Sequence, residues 1–464
     1  MNYLDFDLLL QRADEGYRAQ VLNSPAGQAA TVFTMPFTDL ELENLFLRVS
    51  RTRRSGRRVD SPEVEAAKTF GGRLFAAVFN GEVRGCLRSS LDEASRQGSG
   101  LRVRLRLTDA PELADLPWEY LYNQSLNHFL ALSSETLLVR YLDLPEPIRP
   151  LMVTLPLRVL VMISSPHDYP PLDVEREWTI LRETLSELEG RGLVSLERLD
   201  KPNLATLRRR LRQAEYHIFH FIGHGGYDQR TQDGVLVLED EQKRGRLVSG
   251  QELGMLLHDR RTLRLAILNA CEGGRGSSGD PFSGTAQSLV QQGLPAVIAM
   301  QFEVTDQAAI TFAHEFYTAV AEGYPLDAAL SEARVAIFAQ GNGLEWGTPV
   351  MYLRSSDGHI FDFEKMKEGN AGKSSIVQPQ PLTSLVQLMR SKAQSIVAGL
   401  KAGFAIGIVI LLALVVVGVW LIYKSRFQTR TASTLPPPSS SVEVLSSKVG
   451  EHIASSVDSS TCAI

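Results

Sequence analysis

Residues 216–226 read YHIFHFIGHGG and residues 263–273 read LRLAILNACEG. Each is a short apolar run that ends abruptly in glycine and polar residues, the pattern of a buried strand that delivers its last residue to the open end of a sheet. The first run delivers His224 and the second delivers Cys271. A thiol becomes a useful nucleophile when a neighbouring base or positive charge holds it as thiolate, so an imidazole and a thiol at the ends of adjacent strands are the minimum equipment for thiol catalysis. Gly225 and Gly226 leave the backbone beside the histidine bare, so an amide N–H there can point at a developing oxyanion, with the N–H of Cys271 as its partner. Gly273 and Gly274 let the chain turn away from the thiol without covering it. An inert buried cysteine and a satisfied core histidine are the simpler readings of either residue alone; the joint placement, with glycine on both sides of the cleft, points to catalysis.

Outward from these two strands the chain from Pro156 alternates strand and helix, which predicts an α/β layered sandwich with a mostly parallel sheet. Strands are expected over 158–163, 194–199, 217–222, 296–301 and 348–353. Helices are expected over 173–189, with Trp178, Leu181, Leu185 and Leu188 on one face, after Asn203, and after Ser249 as caps. Ligands of an open parallel sheet sit beyond the carboxyl ends of the strands. Asp168, Asp173, Glu303 and Asp306 fall near such ends and are candidates to line a pocket for a basic side chain, although solvated loop acids are the bland reading of each. Asn269, two residues before the thiol, is the candidate substrate-facing residue after the dyad. His220 reads as a core histidine.

Together, HFIGHGG and LNACEG resemble the CHAT family of caspase-like cysteine peptidases, related to caspases, separase and legumain. The resemblance runs from about 101 to 354 and includes PELADLPWEYLY, PLDVEREW, DPFSG, AVIAMQF and EWGTPV. It implies that His224 and Cys271 form the dyad and that Gly225 and Cys271 supply the oxyanion-hole amides. Asn269 and Glu272 stand where caspases carry Gln and Arg, a departure that bears on cleavage after Asp. The resemblance also implies that residues 1–150 are a smaller α+β companion or regulatory region, its part from about 101 belonging with the peptidase unit at 151–363.

In that first region MNYLDFDLLLQR alternates like an edge or half-buried strand, and Thr38 with Glu41 forms a capping box. RVSRTRRSGRRVD holds six arginines, which could meet anionic lipid or an acidic partner, although such runs ordinarily form a solvated helix end and loop. LRVRLRL over 101–107 is a period-two strand with one arginine-covered face.

The chain has 464 residues, 44% hydrophobic and 22% charged, which is globular and too long for one ordinary domain. A net charge of −5 and a pI near 6.1 give no case for nucleic-acid binding. Cys86, Cys271 and Cys462 lie far apart with no metal-ligand spacing, so no disulfide framework, metal or cofactor is expected. Residues 402–423 carry no charge, lie between Lys401 and Lys424, and end in Trp420 and Tyr423, which predicts a single-pass transmembrane helix. The acids in the first twelve residues argue against an export signal, so the peptidase domain is expected in the cytoplasm. Gly399, Gly403 and Gly407 give two overlapping GxxxG spacings on which a second copy could pack. A polar linker over 364–401 and a disordered Ser/Pro-rich tail over 424–464 flank the span.

The sequence therefore predicts a membrane-anchored cysteine endopeptidase that cuts a protein or peptide substrate and is switched on by a partner or by proximity. The alternative is a non-catalytic caspase-like scaffold that recruits a signalling partner to the membrane.

Overall fold

The computed structural model describes residues 1–51, 62–228, 230, 233–270, 283–302, 304–341 and 343–363. The chain divides into a compact unit, Met1–Lys373, and a second, Ser374–Ile464, all of which lies outside the described residues. The first unit opens with β1 (Tyr3–Arg12), β2 (Tyr17–Asn23) and β3 (Ala29–Phe33). Helices α1 (Asp39–Arg51), α2 (Pro62–Val78) and α3 (Gly81–Arg96) follow. Thr38 and Glu41 cap α1 reciprocally: Thr38 N donates to Glu41 Oε2 at 2.9 Å and Glu41 N to Thr38 Oγ1 at 3.3 Å. Then come β4 (Gly100–Arg106), the two-residue strands β5 (Tyr122–Asn123) and β6 (His128–Phe129), β7 (Thr136–Tyr141) and the short β8 (Leu151–Met152).

From there strand and helix alternate as the pattern predicts: β9 (Leu157–Ile163), α4 (Val174–Gly190), β10 (Val194–Arg198), α5 (Leu204–Gln213) and β11 (Ile218–Gly223). A three-stranded antiparallel sheet follows, of β12 (Gly225–Asp228), β13 (Asp233–Glu239) and β14 (Gly245–Ser249). The chain continues through α6 (Gly250–Leu257), β15 (Leu265–Ala270), α7 (Ser283–Gln291), β16 (Ala296–Met300), α8 (Asp306–Ala321), α9 (Leu326–Ala339), β17 (Pro349–Leu353) and β18 (Phe361–Asp362). The expected caps work as drawn: Asn203 Oδ1 accepts from Thr206 N at 2.8 Å, and Ser249 Oγ from Glu252 N at 3.0 Å.

One eleven-stranded sheet runs β10-β9-β11-β15-β16-β17-β7-β4-β1-β2-β3. Its first five strands are mutually parallel, and so are β17, β7, β4 and β1, but β16 and β17 pair antiparallel, so the two blocks point opposite ways. Side chains alternate between two cores. Ile218, Ile222, Leu265 and Ile267 join one core with α4, α8 and α9. Phe219, Phe221, Ala266 and Leu268 join the other with α5, α6 and α7.

Three expectations change or narrow. Residue 150 is no break in the fold, because β1, β2, β3, β4 and β7 extend the same sheet as the strands after it. Of the two readings of the opening strand, edge or half-buried, the second holds: β1 lies between β4 and β2, part buried and part intermediate along its length, with Asp5 and Asp7 facing arginines. The arginine face of β4 is covered. Arg104 grips Asp7 with two hydrogen bonds at 2.5 and 2.7 Å, and Arg102 pairs with Asp327 at the start of α9. Among the described residues no helix is long and apolar enough to cross a membrane, and the expected span at 402–423 lies outside them, as do the linker, the tail, Gly399, Gly403 and Gly407.

Candidate active site

The parallel pairing of β11 with β15 sets the site. Ile222 stands opposite Asn269 and Gly223 opposite Ala270, so the two strands end level. The next residues in sequence are His224 and Cys271; Cys271 lies outside the described residues. Gly223 is required by crowding, because a Cβ there would lie 2.7 Å from the Phe221 ring and 3.0 Å from Ser164 O. Beyond it the chain turns into β12, with Gly225 opposite Leu236, and Val237 N donates to His224 O at 3.0 Å.

His224 is 1% exposed. Its Nε2 lies 2.8 Å from Pro170 O. A carbonyl oxygen can only accept, so Nε2 carries the proton in that bond, and the tautomer that fits it has its lone pair on Nδ1. Nδ1 is buried and has no hydrogen-bond partner among the described residues. Leaving such an atom unpaired costs on the order of 1–3 kcal/mol. The Tyr169 ring stacks on the imidazole with centroids 5.6 Å apart and planes 27° apart. Burial, and then the Asp168 carboxylate, push the Tyr169 hydroxyl above its ordinary value, which keeps the ring a neutral phenol.

The loop after β9 that carries Tyr169 and Pro170 is pinned on several sides. Ser164 N donates to Ile222 O and Ser164 Oγ to Val237 O; Ser165 N donates to Glu239 Oε1, and His167 N to Lys243 O. Gly245 N donates to Asp168 Oδ1 at 2.6 Å. Gly245 also makes room for the tyrosine, since a Cβ there would lie 2.3 Å from the ring. The three-stranded sheet thus holds the loop, and the loop holds the imidazole.

Asn269 is 8% exposed, and its Oδ1 has no partner among the described residues. Three of the four acidic candidates are engaged with other groups. Asp168 accepts from Gly245 N, and Asp173 caps α4 by accepting from Arg176 N at 3.0 Å. Asp306 pairs with Arg176, and Glu303 lies outside the described residues. His220 is a core residue, its Nδ1 2.9 Å from the Tyr317 hydroxyl and its pKa lowered to about 4 by burial. Among the described residues no group of three or more His, Cys, Asp or Glu could hold a metal ion. Two contributors escaped the sequence reading, Tyr169 and Pro170. The available signal was DYPP just past a strand: Pro171 biases Pro170 toward extended backbone and itself offers no N–H.

The CHAT domain family matches residues 69–351. The chain belongs to the CHAT family. The match begins inside α2 and ends in β17, so the CHAT unit takes in most of the second parallel block as well as the first. No curated protein matches the chain. Among solved structures, the CHAT chain is similar to the Saccharomyces cerevisiae separase–securin complex, with 16% identity over 68% of this chain and a TM-score of 0.33. It spans 22% of that separase chain. It is also similar to the Arg-specific cysteine proteinase gingipain R, with 12% identity, TM-score 0.36, and coverage of 70% of this chain and 75% of that one. For the Porphyromonas gingivalis RgpB pro- and mature domains the figures are 10%, 0.38, 70% and 77%.

Proposed function

We propose that this CHAT chain is a cysteine endopeptidase with a Cys271–His224 dyad, held at the membrane by residues 402–423 with its peptidase domain in the cytoplasm. The observation that carries the reading is the register of β11 on β15. Ile222 and Asn269 are paired neighbours on one face, and side chains return to a face every second residue. His224 and Cys271 follow directly on the last paired positions, Gly223 and Ala270, and the reading requires their side chains to meet there; Nδ1 of His224 has no hydrogen-bond partner among the described residues. Family membership supports the same reading.

In the reaction, Nδ1 takes the thiol proton as Cys271 sulfur bonds to the substrate carbonyl carbon, and the amides of Gly225 and Cys271 hold the oxyanion. Collapse of the tetrahedral intermediate breaks the C–N bond, and His224 returns the proton to the departing amine. A water molecule, deprotonated by His224, then hydrolyses the thioester. Pro170 O steadies the imidazolium by accepting from Nε2. Asn269, whose carboxamide oxygen has no partner among the described residues, faces the substrate, with Asp168, Asp173, Glu303 and Asp306 further out. Residues 1–150 act as the regulatory companion within the same sheet. Activation comes through a partner or through a second copy packed along Gly399, Gly403 and Gly407.

The test is digestion of a peptide library by the full-length chain, with Cys271→Ala and His224→Ala as blanks and iodoacetamide labelling alongside. Cleavage is expected to vanish in both variants. Absence of cleavage by the native chain, with Cys271 alkylated no faster than Cys86, would overturn the reading in favour of a scaffold.

A further inference from the structure

At the opposite end of the sheet from His224, five strand steps or roughly 17 Å along β15, lies a cavity of about 300 Å³. Arg149, Arg260, Arg261, Arg264 and Arg354 line it, and Glu146 is the single carboxylate among its lining residues. Several buried arginines elsewhere in the fold meet acids, as Arg102 does Asp327, Arg104 does Asp7 and Arg140 does Glu119, although buried Arg334 donates to the Pro349 carbonyl instead. In the cavity, Nε of Arg260, Arg264 and Arg354 is buried with no hydrogen-bond partner among the described residues. Arg354 is 8% exposed and donates from Nη2 to Glu146 O at 3.1 Å, while Arg264 Nη2 donates to Arg149 O. Those carbonyls are neutral acceptors, so one carboxylate, Glu146, stands against five guanidiniums in the lining. Burial pulls both guanidiniums below their ordinary value, with Glu146 and then Tyr141 opposing it at Arg354.

We propose that this cavity is a binding site for a cluster of two or three phosphate groups, supplied either by a soluble polyphosphate or by a phosphorylated lipid headgroup. A guanidinium fork meets two phosphate oxygens at once and stays charged where a lysine would lose its proton. At roughly 30 Å³ per water, the volume suits a few phosphate tetrahedra and is too small for a folded partner. No Phe, Tyr or Trp lines it, and its one ring, the imidazole of His258, has Nδ1 engaged with Gln292 O, so the lining is built for charge more than for stacking. The position is also one where ligands gather: Arg354 directly follows β17 and Arg149 lies in the connection after β7, so the cavity opens beyond the carboxyl ends of the second parallel block.

The test titrates the full-length chain with sodium tripolyphosphate by calorimetry, and separately sediments it with phosphatidylcholine vesicles with and without phosphatidylinositol bisphosphate. Affinity is expected to fall at least tenfold in Arg264→Gln and in the exposed variant Arg261→Gln, and to stay unchanged in Arg209→Gln, which lies outside the cavity. The Arg261 variant carries the comparison should Arg264→Gln fail to fold. Binding of tripolyphosphate names a soluble ligand; binding only to the phosphorylated vesicles, lost in the same variants, names the headgroup. No binding in either arm, or equal binding by both cavity variants, overturns the site.

Discussion

Replacing Gly245 by alanine tests how His224 is held without touching the dyad. A Cβ at 245 would lie 2.3 Å from Tyr169 Cε2 and 2.8 Å from Cδ2. Ordinary carbon contacts are about 3.5–4.0 Å, so the ring must retreat by at least roughly 1 Å. Gly245 is not among the residues with positive φ, so alanine suits its backbone, and the half-buried tyrosine has room to swing outward. Stability should therefore change by less than about 1 kcal/mol, with a small part from Val237 Cγ1 at 3.1 Å. What is lost is the stack on the imidazole, worth about 0.5–1.5 kcal/mol. If that energy orients the base, the rate should fall by about two- to tenfold. The assay is iodoacetamide alkylation of Cys271, followed by mass spectrometry with buried Cys86 as internal reference. Tyr169→Ala should give the same loss, and the double variant no more, because both changes remove one contact. Multiplying losses in the double variant, or an unchanged rate in both singles, would refute the idea that Tyr169 positions His224.

Two further outcomes follow from buried charge. His220 titrates near 4 in the fold against 6.5 when exposed, so the native state refuses a proton that the unfolded chain accepts; the stability this group contributes is complete above pH 6.5 and falls as the pH drops toward 4, by about 3 kcal/mol. Urea unfolding across that range, compared with His220→Phe, should show a steeper acid loss in the native chain, and parallel curves would remove His220 as the cause. Arg102→Met leaves Asp327 buried without a counter-charge and should cost about 3–5 kcal/mol, most of it recovered in Arg102→Met/Asp327→Leu. Denaturant midpoints check it, and a double variant as unstable as the single would show that packing, not charge, dominates there.

Much of this architecture could be read from the sequence because its signals are local. The runs leading to His224 and Cys271 are mostly apolar and give way to glycine and polar residues, and Asn203, Ser249 and the Thr38–Glu41 pair state where helices start within three residues. What escaped is what is settled through space. Asp5 and Asp7 look like the wet side of a strand until β4 is laid beside them with arginines in register, Asp5 opposite Arg102 and Asp7 opposite Arg104. Tyr169 and Pro170 sit 55 and 54 residues before the histidine they hold, in a loop whose shape is fixed by hydrogen bonds to β13 and β14 and no helical or strand period.

The antiparallel seam between β16 and β17 explains why one sheet can carry two unlike sites. A parallel block presents its carboxyl ends, where loops can be shaped for ligands, on one side only. Had all nine strands from β10 to β1 run the same way, every such end would have crowded the side of His224. Reversal at the seam sends the ends of β17, β7, β4 and β1 to the far side, where Arg354 and Arg149 emerge. The residues joining the two ends are those of β15 and β16, buried throughout their described length. An anion seated among the arginines therefore acts on His224 only through the stability and register of these strands. The consequence can be measured. Tripolyphosphate should raise Tm roughly with the logarithm of its concentration above Kd while leaving the pH dependence of Cys271 alkylation where it was, since a charge about 17 Å away through packed protein lies well beyond the 4–6 Å over which neighbours reset a titration. A shift of that profile on binding would mean that the two ends are coupled by a change in strand register or loop position.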